Sequence, residues 1–241
     1  MIGDRMTELL FYKKPVALNR EQHKDFKFSP VKNFSFTNGI NSVPLTGIEF
    51  FEASRELPVL FSKDGSDNYF PLALLSLMNN GHKLISDEGE WQSSYVPAFI
   101  RRYPFALTEE GTVCFDSEYD QIGADQEDGK ALFTDEGENS ESLTNVVSFL
   151  QQFDQSTKAT AEFSKQLAEL DLFKPFTIQV MTADKKPLRM EGLYVIDEAK
   201  VAKLDDEAVL KWFKSGQLAW IYAHLHSLGA LRHLSKKQQE A

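Results

Sequence analysis

Apolar positions recur with different periods in different stretches of the chain. Residues 141–173 contain neither Gly nor Pro, and Leu143, Val146, Val147, Leu150 and Phe153 follow i, i+3, i+4, i+7 spacing. Phe163, Leu167 and Leu170 repeat it, which predicts one or two amphipathic helices. Gln217–Leu234 is a second helical run, strongly apolar, with Leu218, Ile221, Leu225 and Leu228 on a 3.6-residue stripe that should face the core. Between the two, Asp205 or Asp206 is placed to cap a helix reaching Lys214, and Gly216 to end it. The closing SKKQQEA is polar and reads as a frayed tail.

Other stretches read as strands. Phe176–Thr182 and Pro187–Ile196 flank a turn at Ala183-Asp184-Lys185-Lys186. In residues 47–107, the densest apolar part, Ile48–Leu57 suits one short helix, stopped by Pro58. Val59-Leu60-Phe61 then reads as a buried strand, Lys63–Ser66 as a turn and Tyr69–Leu77 as a further apolar run closed by Asn79-Asn80-Gly81. Lys83-Leu84-Ile85 and Asp87-Glu88-Gly89 read as strand and turn, giving an antiparallel meander beside a helix. Thr112–Asp116 reads as one more short strand. In residues 1–46, Pro15, Pro30 and Pro44 interrupt any long element, and Phe34-Ser35-Phe36 alternates as a short strand does.

These elements define an α+β protein: an antiparallel sheet with flanking helices and a helical C-terminus. Residues 1–46 are expected to form an irregular N-terminal arm packed on the core. Residues 47–241 are expected to form a single α+β domain carrying an acidic loop around 109–141. There is no internal repeat and no Gly/Ser-rich linker, and strands on both sides of the helical stretch are expected to share one sheet.

Composition narrows the classes. Of 241 residues, 42% are hydrophobic and 26% charged, which excludes a disordered or collagen-like chain. Nineteen Phe, seven Tyr and three Trp make the chain aromatic-rich. The net charge is −10, and residues 109–141, with twelve acids and only Lys130 as a base, supply −11 of it. The remainder is nearly balanced. An acidic field without basic patches argues against nucleic acid and anionic membranes as partners. A lone cysteine, Cys114, excludes an intrachain disulfide. The opening MIGDRMTELLFYKKP lacks the apolar core and cleavage site of a secretory signal, and no apolar run approaches 18 residues, so a cytoplasmic protein is expected.

Little chemistry is spelled out. His224 and His226 lie about 200° apart on a helix and cannot share an ion, and His233 sits two turns from His226. The acidic stretch lacks the alternating oxygen ligands of a calcium loop, so no metal is expected. There is no G-x-S-x-G elbow and no glycine-rich phosphate loop, and Cys114 lies in an apolar strand beside acids that should raise its pKa. No catalytic residue and no cofactor are assigned. One segment is suggestive: residues 91–107 hold five aromatics and two adjacent arginines. Trp91, Tyr95, Arg101, Arg102 and Tyr103 have the parts of a pocket for an aromatic or carboxylate-bearing ligand, since arginine grips carboxylates through a planar fork and aromatics offer a stacking wall. The same residues also suit a structural role, with the arginines tying down the acidic loop or a buried carboxylate. Neighbours in sequence point apart, so one arginine should be structural and the other should face solvent or ligand.

At these residues the chain resembles the bacterial SapC family over nearly its whole length. The resemblance rests on ELPVLFS at 56–62, YFPLALLSL at 69–77, WQSSYVPAFIRRYPF at 91–105 and LYVIDEAKVAKLDDEAVLKWFKSGQLAWIYAHLHSL at 193–228, the last containing G-x-L-x-x-x-Y-A-H-L-x-S-L. The family name implies association with a bacterial surface layer. Members are also similar in context to proteins encoded near outer-membrane receptors and flavin-dependent tryptophan-halogenase-like proteins. The resemblance therefore implies a non-catalytic cytoplasmic accessory or binding protein, with a protein partner or a small carboxylate or aromatic ligand. An enzyme acting on an amino acid, peptide or derivative is the alternative of a different class. A surface-layer or secretion component is the third, which the lack of a signal-like N-terminus disfavours.

Overall fold

Residues from both halves of the chain meet in one five-stranded antiparallel sheet. The computed structural model describes residues 10–78, 81–181, 187–232 and 234. The expected turn at 183–186, Asn79-Asn80, His233 and the polar tail lie outside the described residues. In chain order the elements are β1 (Pro15–Ala17), β2 (Lys27–Phe28), β3 (Ser42–Pro44), α1 (Phe50–Ala53), β4 (Val59–Lys63), β5 (Tyr69–Leu74), α2 (Ala98–Arg101), β6 (Phe105–Leu107), β7 (Val113–Asp116), β8 (Ile122–Gly123) and β9 (Lys130–Ala131). The long helix α3 (Glu141–Glu169), the hairpin β10 (Phe173–Met181) and β11 (Pro187–Ile196), and α4 (Glu198–Val201), α5 (Asp206–Ser215) and α6 (Gln217–Ser227) follow.

The large sheet has the order β10-β11-β4-β5-β3, and two small sheets run β1-β7-β6 and β8-β2-β9. Strands on either side of α3 thus share one sheet, as the sequence predicts. Side chains alternate across β4: Val59 and Phe61 enter the main core with Phe50, Phe163, Trp212 and Ile221, whereas Leu60 joins Leu72, Leu74, Ile178 and Leu193 on the opposite face. Both faces are covered, which is why β4 and β5 read as continuous apolar runs. Burying each of these large side chains contributes about 1.5–3 kcal/mol.

Helix α3 is one unbroken helix of 29 residues, about 43 Å long at 1.5 Å per residue. Ser140 caps it, its hydroxyl accepting from the Leu143 amide at 3.1 Å. The first half buries Leu143 and Leu150 against the small sheets, with Phe105, Phe115 and Leu132. The second half buries Phe163 and Leu167 in the main core. Asp205 caps α5 through the Ala208 amide, and Gly216 ends it with φ +79°, a left-handed turn that leads straight into α6.

Three expectations change. Phe34-Ser35-Phe36 is not a strand: residues 35–37 form a 3-10 turn. Asn33 Oδ1 takes the Ser35 amide and Thr37 Oγ1 donates to the Phe34 carbonyl, so side chains capture the backbone that a ladder would need. Phe36 is still stacked on Tyr103, with 4.4 Å between ring centroids. Lys83–Ile85 makes only the isolated bridge Ile85↔Trp91, because it belongs to a tight loop whose Leu84 amide is held by His82. Ile48–Leu57 is a 3-10 turn followed by the four residues of α1, not a single helix.

The buried face of α6 is also displaced from the Leu stripe. Ile221, Ala223, His224 and Ser227 are buried, whereas Leu218, Leu225 and Leu228 are half-buried. The polar pair has a reason. Strand β11 meets β4 in register only at Tyr194↔Phe61, so the strands part beyond that point. His224 fills the gap: Nδ1–H donates to the Val59 carbonyl at 2.9 Å and Nε2 accepts the Ile196 amide at 3.1 Å. Ser227 Oγ accepts the Val59 amide at 2.9 Å. Backbone groups that adjacent strands would otherwise pair are satisfied by two side chains of one helix. The A-H-L-x-S segment of the resemblance has this structural role.

Candidate functional site

The segment 91–105 wraps one end of the main core, and its polar groups go to different places. Trp91 Nε1 donates to the Tyr95 carbonyl at 2.9 Å, closing the loop on itself. The Tyr95 hydroxyl donates to Glu49 Oε1 at 2.7 Å. Burial, then the Glu49 charge, pushes the Tyr95 pKa up, so it remains a donor. Glu49 is itself buried and accepts four hydrogen bonds: the Thr46 amide and hydroxyl on Oε2, Tyr95 and the Ala98 amide on Oε1. Tyr103 donates to Asp116 Oδ2 at 3.1 Å. Fully buried Asp116 also takes the amides of Lys13, Lys14 and Glu118, which fastens β1 to β7. Burial alone would raise its pKa; those donations outweigh burial and hold the carboxyl below its ordinary range.

The two arginines separate. Arg101 is exposed, with Nε donating to the Val96 carbonyl and its guanidinium 5.7 Å from the Tyr95 ring and 5.3 Å from the Phe149 ring. It lines an open depression with Lys130, Phe28 and Phe149. Arg102 is only 7% exposed and lies 4.3 Å from the Phe99 ring and 5.2 Å from the Phe153 ring. Its charge reaches Tyr12, whose pKa burial pushes up and Arg102 partly pulls back. Trp91, Tyr95 and Tyr103 line neither this depression nor the cavity at Arg102.

That cavity, of about 280 Å³, lies between the middle of α3 and the β3–β5 side of the large sheet. Leu45, Phe70, Pro71, Leu107 and Leu150 give apolar walls, and Phe99 and Phe153 bracket Arg102. Asp64, Asp154 and three threonines supply the other polar groups. Thr160 is already engaged, accepting the Gly47 amide at 2.8 Å and donating to the Ser156 carbonyl at 2.6 Å. A pocket of this kind, largely apolar with a few charges at fixed places, fits a fragment-sized ligand; small-molecule pockets start at roughly 300 Å³. Among the described residues there is no cluster of three metal-ligating side chains, and no helix is long and apolar enough to cross a membrane. Cys114 is half-buried in β7, and burial pushes its thiol pKa up.

Sequence reading places Arg102 but not the rest of this cavity, which draws on residues 44–161. It also passes over Glu49 and Asp116. The first has a signal, the capping box Thr46-x-x-Glu49, in which both reciprocal bonds form. The second has none, since the amides of Lys13 and Lys14 that fasten it lie more than 100 residues away.

Fold and site together define an α+β protein built on an antiparallel sheet, with a mostly apolar cavity under its longest helix that carries Arg102, Asp64 and Asp154. The chain belongs to the SapC family, whose model matches residues 18–234, nearly its whole length. No curated protein and no solved structure matches it.

Proposed function

We propose that the chain is a non-catalytic binding protein whose ligand, a small molecule with an apolar or aromatic body and a carboxylate, sits in the cavity under α3 with its carboxylate on Arg102. The observation that carries this reading is the placement of a nearly buried guanidinium between two aromatic rings in the wall of an apolar cavity. In such a setting a charge-assisted, bidentate bond to a carboxylate is stronger than at the surface. Trp91, Tyr95 and Tyr103 then act as the frame: they fix the loop that leads into α2 and so set the position of Arg102. Within the cell the protein is an accessory in the cytoplasm to outer-membrane nutrient uptake or a halogenase-like system, the contexts that the family resemblance implies.

Calorimetric titration with 3-phenylpropionate tests the binding reading. We expect a dissociation constant of roughly 10 μM to 1 mM, in keeping with a ligand of this size. Ala161, exposed on α3, lines the cavity, so Ala161→Phe should fill it and abolish binding with little change in melting temperature. Arg102→Ala should abolish it too. No binding to the unaltered chain, or undiminished binding to the Ala161→Phe variant, would refute the reading.

A further inference from the structure

We infer that the cavity under α3 selects a zwitterion, an α-amino acid with an apolar or aromatic side chain, whose carboxylate is held by Arg102 and whose ammonium is held by Asp154. This rests on the binding reading above and makes it more specific. The wall carries one guanidinium and two carboxylates, Asp64 and Asp154. Lys158 pairs Asp154, so these charges balance, and a plain carboxylate gains Arg102 but adds an uncompensated negative charge. A zwitterion leaves the balance unchanged and can satisfy both signs.

The two carboxylates are not equivalent. Asp64 is committed to its own turn: Oδ1 accepts the amides of Ser66 and Asn68, each at 2.8 Å, and Oδ2 accepts Asn68 Nδ2 at 3.2 Å. Asp154 meets only Lys158, through Oδ2 at 2.7 Å, and its side chain is 41% exposed. Among the described residues its Oδ1 makes no bond, so it can receive an ammonium without displacing Lys158. Asp154 follows Phe153 on α3, Phe153 is the ring beside the Arg102 guanidinium, and all three line the same cavity. The remaining lining, Leu45, Phe70, Pro71, Leu107 and Leu150, has no charge and suits an apolar side chain.

The test compares L-phenylalanine with 3-phenylpropionate, the same skeleton without the ammonium, by calorimetry on the full chain and on Asp154→Asn. L-phenylalanine should bind about tenfold more tightly, the effect of one partly exposed ammonium–carboxylate contact. In Asp154→Asn the ratio should fall to about one, with 3-phenylpropionate bound at least as well as before. Asp154 is at the surface, so the variant should keep its melting temperature. Equal or tighter binding of 3-phenylpropionate by the unaltered chain overturns the zwitterion assignment and leaves the carboxylate site standing. A preference for L-phenylalanine that survives Asp154→Asn also overturns it. Failure of both compounds to bind overturns the carboxylate site and this inference together.

Discussion

Replacing Glu49 by Gln changes almost no volume, yet it should be among the most damaging conservative substitutions in this chain. Glu49 accepts a backbone amide and a hydroxyl on each oxygen. Glutamine offers one oxygen and one NH2. A hydroxyl facing the NH2 can turn and accept from it; the amide of Thr46 or of Ala98 cannot. Whichever way the side chain is flipped, one buried backbone N–H loses its acceptor, which costs about 1–3 kcal/mol. The surviving bonds also change from charge-assisted to neutral, at roughly half the strength. The sum is about 3 kcal/mol, or a fall in melting temperature of about 6–12 °C for a chain of this length. Urea titration followed by tryptophan fluorescence measures it directly. Tyr95→Phe in the same background adds a second test, since Tyr95 and Glu49 share a bond and should show a coupling energy of about 1 kcal/mol. A loss below about 1 kcal/mol for Glu49→Gln, or strict additivity with Tyr95→Phe, would refute the account of Glu49 as the buried anchor of this loop.

Burial lowers the His224 pKa from its ordinary 6.5 to about 4, so the fold favours the neutral ring. That contribution is complete above pH 6.5 and is lost as pH falls from 6.5 towards 4, by about 3 kcal/mol in all. His224→Gln, which can keep one donor and one acceptor, should flatten the decline in urea midpoint between pH 7 and pH 5. Asp116 acts in a lower window, because its depressed pKa gives stability that is present above the ordinary carboxylate value and lost only as pH falls through the folded value; Asp116→Asn should therefore destabilise at pH 7 and remove the acid-side loss below about pH 4. A Cβ on Gly47 would stand 2.3 Å from the Trp220 ring, so Gly47→Ala should cost about 1–3 kcal/mol and shift the indole emission. On α6, Ile221→Ala should cost about 2–5 kcal/mol and Leu225→Ala distinctly less, the former being fully buried and the latter half-exposed; equal losses in denaturant titration would mean that the Leu stripe is the packed face.

What the sequence discloses here is what local periodicity encodes. Helix α3 is legible because residues 141–169 hold no Gly or Pro and carry a 3.6-residue stripe in each half, although the lack of large apolar residues at 154–162 leaves one or two helices open. Helix α5 is legible because Asp205 and Gly216 mark its ends. The hairpin and β4 follow from β-branched and aromatic runs between turn residues. The stripe on α6 misleads because hydrophobicity identifies an apolar face, while the buried face holds His224 and Ser227, polar side chains whose shared partner, Val59, lies some 165 residues away. Phe34 and Phe36 mislead for the opposite reason: the alternation is real, but Asn33 and Thr37 bend the backbone before a strand can pair. Arg101 and Arg102, grouped by their adjacency, face separate surroundings, as neighbouring positions about 100° apart on a helical turn are expected to. Apart from Arg102 the cavity is not legible, since its walls come from five separated stretches that only the fold brings together.

The seam between β4 and β11 also sets an order of events in folding. Val59 lies in the first quarter of the chain, but its amide and carbonyl are both completed by α6, at sequence separations of 165 and 168. Closing a loop of that length has an entropic cost that no local contact offsets beforehand. The β3–β5 part of the sheet can form from neighbouring segments, and so can the β10–β11 hairpin with the helices after it, but their joining waits for residues 217–227. During synthesis the Val59 end of the β4 edge therefore stays unpaired until α6 has been made, and an unpaired strand edge is a route to aggregation.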